Sequence, residues 1–290
     1  MIQSKGRIMG NIKGSRRTDD NVHSQKDYDD TRSMTIIGII VVTIIIGIIG
    51  IIGFSIWRSN QPITVSATPS FVASDGAIVI TKNGIARNGR KYDNVTTGKT
   101  TKVVSDYQDF LCPGCAAVNQ EIATPLKTYI RNGSIILKQY PISILDRLSN
   151  STEYSTRLAA MAYRVAELDP DHYLDFVDLM FSDEVQPDEE NFKNITDSQL
   201  VKYAIKAGLS KSDAKKSIDG KYTDYVTATT KTITADTSLW RDSGNGEKVF
   251  MTPIVRVNGK DLDYSSNTDF GTQLAKRLGV TKVKDGDGTD

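Results

Sequence analysis

Ser105-Asp106-Tyr107-Gln108-Asp109-Phe110-Leu111-Cys112-Pro113-Gly114-Cys115 is the stretch on which the reading of this chain turns. Cys112 and Cys115 are the only 2 cysteines among 290 residues, and His23 and His172 are the only histidines. A structural zinc site needs four ligands, which two thiols three positions apart do not supply. Such a pair can instead close a tight disulfide and reopen it by exchange with the thiols of another protein. A plain structural disulfide or two buried free thiols are the blander alternatives, but structural bridges usually close much longer loops. The run follows an apolar, strand-like stretch, Lys102 to Tyr107, and opens a helical stretch from Ala116 to about Ile130. A redox cysteine benefits from that position, because a helix N-terminus stabilises a thiolate and lowers its pKa.

Working outward, Ala77 to Thr81 reads as a strand, and Asn83-Gly84 and Asn88-Gly89 are turn signals of a small hairpin. The spacing predicts a second strand over Val103 to Phe110. Pro125 should kink or restart the helix that follows. Asn132-Gly133 ends that helix, and Ile135 to Tyr140 makes a third strand, giving a β-α-β unit with the cysteines at its strand-to-helix junction. Helical spacing then dominates. Tyr154, Leu158, Met161, Ala162, Val165 and Leu168 repeat on one face behind a Ser151/Thr152 cap. Tyr173 to Phe181 marks another helix, and Leu200 to Ala207 a third that stops at Gly208. Ala214 to about Ile233 is ambiguous, because its Thr-rich end is a poor helix interior. Strand character returns at Thr252 to Val257, Asn258-Gly259 turns it into Asp261-Leu262, and a last helix covers Thr268 to Leu278.

No charge interrupts Ile36 to Ile56, which is almost entirely Ile, Val and Gly. About 21 helical residues span the roughly 30 Å hydrocarbon core, so this segment reads as a transmembrane helix. Lys5, Arg7, Lys13, Arg16, Arg17, Lys26 and Arg32 precede it, whereas no Lys or Arg lies between Arg58 and Lys82. The positive-inside rule places residues 1–33 in the cytoplasm and the rest outside the cell. The expected division is a cytoplasmic tail 1–33, an uncleaved signal anchor 34–57, a Ser/Thr/Pro-rich linker 58–75, one domain 76–282 and a tail 283–290. A cleaved signal peptide ending near Val65-Ser66-Ala67 is the rival reading. Outside the cytoplasm disulfides persist, and a dithiol there has disulfide chemistry to do. A net charge of +1 offers no nucleic-acid-binding surface, and no P-loop or dinucleotide fingerprint is present. No metal or cofactor is expected.

A strand, a C-x-x-C at a helix start, a helical insertion, then Thr252-Pro253 before a β-hairpin and a last helix: this order resembles the thioredoxin superfamily. Within it the chain is similar to DsbA-type oxidoreductases, particularly the membrane-anchored ones of Gram-positive, actinobacterial cell surfaces. The resemblance covers roughly 76–282 and implies an α/β thioredoxin-like fold. In it, a helical insertion, about 145–238, separates the β-α-β half from the β-hairpin-α half.

The resemblance also implies roles. Cys112 is then the exposed attacking thiol, Cys115 the resolving thiol and Pro253 the cis-proline beside them. Thr252 offers backbone hydrogen bonds to the bound peptide. Asp106, six residues before Cys112, corresponds to the buried acid that assists proton transfer at the resolving thiol; an exposed strand-end Asp is the alternative. Asp109 fits the signature and is expected to cap the helix. The best-known DsbA enzymes carry His where this chain has Gly114, which leaves the oxidising strength open. The implied function is disulfide formation in exported proteins, with reoxidation by a membrane partner of VKOR or DsbB type. A reductase or isomerase of the same fold, or a non-redox peptide-binding module, are the alternatives.

Overall fold

Seven residues of alternating burial, Lys102–Gln108, form the strand around which the molecule is organised (β3). Its inward positions are Val104, Asp106 and Gln108, so one strand delivers both core packing and a buried acid. The computed structural model describes residues 63–95, 101–264 and 268–281. The segment Ile36 to Ile56 read as a membrane span lies outside the described residues, as do most of the linker's first residues and the tail 283–290. Among the described residues no helix is long and apolar enough to cross a membrane.

The strands β1 (Ile78–Thr81), β2 (Gly84–Ile85), β3, β4 (Ile135–Pro141), β7 (Ile254–Val257) and β8 (Lys260–Asp261) build one six-stranded sheet in the order β2-β1-β4-β3-β7-β8. β3 and β4 run parallel, with Asp106 opposite Gln139, and are joined by helix α1 (Pro113–Arg131). β7 runs antiparallel to β3, placing Val255 opposite Asp106. The expected β-α-β half and β-hairpin-α half are therefore both present, and α7 (Phe270–Leu278) packs on α1. Between the halves stand α2 (Tyr154–Leu168), α3 (Tyr173–Met180), α4 (Asp197–Lys206), α5 (Lys211–Lys216) and α6 (Thr223–Ala235). Ile78, Val104, Ile135, Leu137, Val255 and Val257 share one core with α1, α7 and the insertion. Val79, Tyr140, Ile142 and Ile254 meet Ile233 of α6 and Leu239 in another.

Several expectations change in the structure. Pro125 sits buried inside α1, which runs through it without restarting. Ser151 and Thr152 do not cap α2; the hydroxyl of Ser149 accepts the Tyr154 N–H at 3.2 Å, and Glu153 takes a left-handed φ of 49° at the cap position. The Thr-rich end of α6 is helical after all. Thr227, Thr232 and Thr234 donate their hydroxyls to the carbonyls of Thr223, Ala228 and Thr230, the back-bonding by which a hydroxyl is accommodated in a helix. Gly208 does stop α4 at φ 112°, with Leu209 N–H returning to the Ala204 carbonyl.

The linker expected over 58–75 is the clearest difference. Phe71, Val72 and Ala73 are buried, and Val65 and Ala67 pack against the core. The Phe71 carbonyl accepts the Gly89 N–H at 2.7 Å, an approach so close that a Cβ at Gly89 would lie 2.4 Å from the Ala73 nitrogen. Three apolar residues in a Ser/Thr/Pro-rich run were too few to show periodicity, yet they are enough to tie the chain down. A second, two-stranded hairpin, β5 (Arg241–Asp242) with β6 (Lys248–Val249), was not legible in the polar sequence between α6 and β7.

Candidate active site

Helix α1 begins at the cysteines. Cys112 is its N-cap, in extended conformation (φ −76°, ψ 115°), and Pro113 occupies the first helical position, where its missing N–H costs nothing. The Cys115 N–H donates to the Cys112 sulfur at 3.3 Å and to the Cys112 carbonyl at 3.1 Å. Cys112 thus receives the dipole end of the helix and one of its free amides directly. Cys112 is not exposed as expected: both cysteines are buried, and Cys112 is the more accessible of the pair at 7% exposure against 2% for Cys115. Both thiols are free.

The two thiols are pushed in opposite directions. A hydrogen bond from the Cys115 thiol, with help from the Thr252 hydroxyl and the Cys115 amide, holds the Cys112 thiol below its ordinary value against the opposing effect of burial. Burial raises Cys115 well above the ordinary thiol range, and its partnership with Cys112 adds to this. Of the pair, Cys112, the sulfur nearer the surface, is therefore the one that gives up its proton more readily.

Thr252 and Pro253 come to this pair from the other half of the fold. The Thr252–Pro253 bond is cis, and the Cys112 thiol lies 3.6 Å from the Thr252 carbonyl. Gly114 explains part of the fit: a Cβ there would stand 3.0 Å from Pro253 Cδ and 3.8 Å from the Cys112 sulfur. Asp106 is buried on β3. Its carboxyl accepts from Gln139 Nε2 at 3.4 Å, and burial pushes its pKa up to about 7. The exposed strand-end alternative for Asp106 does not hold.

Asp109 does not cap the helix as expected. Fully buried, it accepts the Leu111 N–H at 2.9 Å on one oxygen and the Ile144 and Leu145 N–H groups at 2.7 and 3.0 Å on the other. It ties the cysteine loop to the turn after β4, and burial raises its pKa to about 6 despite these bonds. Gln186, from the stretch between α3 and α4, donates its amide to the Cys112 carbonyl at 3.0 Å and to the Phe110 carbonyl at 3.3 Å. Sequence reasoning missed it, because a lone Gln 74 residues from its partner carries no pattern.

The sequence model of the thioredoxin family matches residues 94–275. The chain belongs to that family. Among its structural neighbours are oxidised and reduced DsbA of Mycobacterium tuberculosis. The oxidised form is 25% identical, with a TM-score of 0.52 over 70% of this chain and 93% of that one. The reduced form is 26% identical, with a TM-score of 0.53 over 71% and 92%. The thiol-disulfide oxidoreductase MdbA of Actinomyces oris shares the fold at 18% identity, with a TM-score of 0.54 over 78% of this chain and 94% of that one. The two DsbA neighbours, at 25% and 26% identity, make the thioredoxin-family domain a DsbA-type one, and its dithiol suits the disulfide exchange of such oxidoreductases. A curated relative is the serine/threonine-protein kinase PknE of Mycobacterium tuberculosis, 24% identical over 209 residues, or 72% of this chain. The match spans only 35% of that kinase.

Proposed function

We propose that this protein is an extracytoplasmic thiol:disulfide oxidase that introduces disulfides into exported proteins, held to the membrane by a helix over Ile36 to Ile56. The observation that carries the reading is the dithiol at the start of α1, where Cys112 is the N-cap, takes the Cys115 amide on its sulfur and lies 3.6 Å from the Thr252 carbonyl beside the cis Pro253. In the oxidised enzyme a client thiolate attacks the Cys112 sulfur, and Cys115 leaves as a thiolate and takes a proton. A second client thiolate then attacks the client sulfur of the mixed disulfide, expelling Cys112. The client loses two thiol protons and two electrons and gains one S–S bond, while the enzyme ends as a dithiol. An acidified Cys112 is a good leaving group, which favours the last step in this direction.

Asp106 is the group suited to hand Cys115 its proton, since a carboxyl titrating near 7 is half protonated at neutral pH. Thr252 presents its backbone to the bound client strand, with Pro253 beside the sulfur pair. Reoxidation falls to a membrane partner of VKOR or DsbB type. A reductase or isomerase running the same exchange backwards is the second reading, favoured by Gly114, which brings no side chain to the Cys112 thiolate.

Trapping tests the roles. The oxidase reading expects Cys112→Ser to abolish disulfide formation in reduced, unfolded ribonuclease A. Cys115→Ser, first charged on Cys112 as a mixed disulfide with glutathione, should exchange glutathione thiolate for a client thiolate and hold the client on Cys112 as a trapped adduct. Turnover surviving in Cys112→Ser, or no trapped adduct in Cys115→Ser, would remove the proposal.

A further inference from the structure

The segment that meets Cys112 is itself held from behind. Arg241, the first residue of β5, sends its guanidinium under the Met251-Thr252-Pro253 turn. Nη2 donates to the Met251 carbonyl at 3.2 Å and also to the Pro253 carbonyl. These two carbonyls flank the Thr252 carbonyl that faces the Cys112 sulfur. The guanidinium carbon stacks 4.4 Å from the Tyr264 ring centroid. The Tyr264 hydroxyl accepts the Val255 N–H at 2.8 Å, and its ring packs on Phe270 of α7. Arg241 Nε lies 3.9 Å from Asp261 on β8. One cation therefore joins the small hairpin, the proline turn and the sheet edge, and it is largely buried there.

We propose that Arg241 is a positioning residue of the exchange reaction: its planar fork fixes residues 251–253, so that Thr252 faces Cys112 and its backbone is set to receive a client strand. The inference rests on reading Cys112 and Cys115 as an exchanging dithiol. Nη2 carries two N–H groups, one for each carbonyl, while the planar guanidinium stacks on the Tyr264 ring; an ammonium has the donors but no plane to stack, which is why Arg suits this place better than Lys. Neither Arg241 nor Tyr264 belongs to the C-x-x-C or Thr-Pro motif.

The test uses the full chain with Arg241→Met, which keeps the length of the side chain and removes its donors, and with Arg241→Lys, which keeps the charge. Two readouts apply: KM against kcat for reduced, unfolded ribonuclease A with glutathione disulfide as reoxidant, and the pH profile of Cys112 alkylation by iodoacetamide. Loss of a charge-assisted hydrogen bond on the turn predicts a KM rise of about tenfold in Arg241→Met. The alkylation midpoint should move to higher pH, because the Thr252 hydroxyl no longer sits where it favours the thiolate; Asp109 is the charged group facing Cys112 and is untouched by the change. Arg241→Lys should fall between, with a smaller rise in KM.

A folded Arg241→Met with unchanged KM and an unchanged alkylation profile overturns the inference, as does a fall in melting temperature with both readouts unmoved. Should Arg241→Met not fold, Arg241→Lys decides alone, and wild-type values for it overturn the inference. The alkylation profile needs no client. A wild-type chain that fails to oxidise ribonuclease would therefore strike the exchange reading itself, separately from the role of Arg241.

Discussion

Asp106 shows most plainly what one residue contributes. Its carboxyl titrates near 7 in the fold against an ordinary 3.8, because burial disfavours its charge. The folded state thus holds this proton more tightly than the unfolded chain, and the stability it carries is complete below about pH 4 and lost as pH rises through about 7. Asp106→Asn has no proton to lose. It should unfold at higher urea than the wild type at pH 7.5, by an amount on the order of 2–4 kcal/mol, with the two curves converging near pH 4. Urea midpoints across that range decide it, and a constant difference between the proteins would place the shifted carboxyl elsewhere. The same variant should slow the step that protonates Cys115.

Cys112, Cys115, Thr252 and Pro253 were legible because their spacing and order are a pattern. Asp106 could be placed by its distance from Cys112, but its burial needed the alternation of β3 and its register opposite Gln139 and Val255. Asp109, Gln186 and Arg241 act through backbone carbonyls and amides brought together by the fold, and no local pattern marks such a partner.

At the level of elements, the N-terminal approach to the sheet has consequences for where the domain begins. Phe71 and Val72 are buried, and Ser74 donates its N–H and its hydroxyl to the Asp93 carboxylate at 2.8 and 2.6 Å. Burying large apolar side chains contributes about 1.5–3 kcal/mol each. A chain beginning at Ile63 should therefore melt like the full domain, whereas one beginning at Gly76 should lose at least about 3 kcal/mol. Equal denaturant midpoints for the two truncations would refute the packing described for Phe71 to Ala73. The strands and long helices were readable from their periods, with α2 and α1 the clearest. The short β5–β6 hairpin was not, because two-residue strands leave too little alternation to detect. Thr-rich α6 misled propensity because its hydroxyls find partners within the helix itself.

For the whole molecule, the sequence divides at a segment without charges and a domain with a net chemistry of its own. If Ile36 to Ile56 anchors the protein, the full chain stays with membranes washed in alkaline carbonate, while a chain beginning at Ile63 is released. Extraction of the full chain by carbonate would speak against the anchor. Within the domain, the helical insertion reaches the Cys112 carbonyl through Gln186 and the β5–β6 hairpin reaches the Met251-Thr252-Pro253 turn beside the cysteines through Arg241, so the site is closed by parts of the chain far apart in sequence. That closure is the feature of the fold least visible beforehand.

The central claim is that this dithiol gives its disulfide away. The equilibrium reduction potential of Cys112–Cys115 in the full chain, titrated in glutathione buffers, tests it most directly. An acidified Cys112 stabilises the reduced form, so the account predicts a value of about −120 to −180 mV, the range of DsbA and protein disulfide isomerase. A value near thioredoxin's roughly −270 mV would contradict the oxidase and make the protein a reductase.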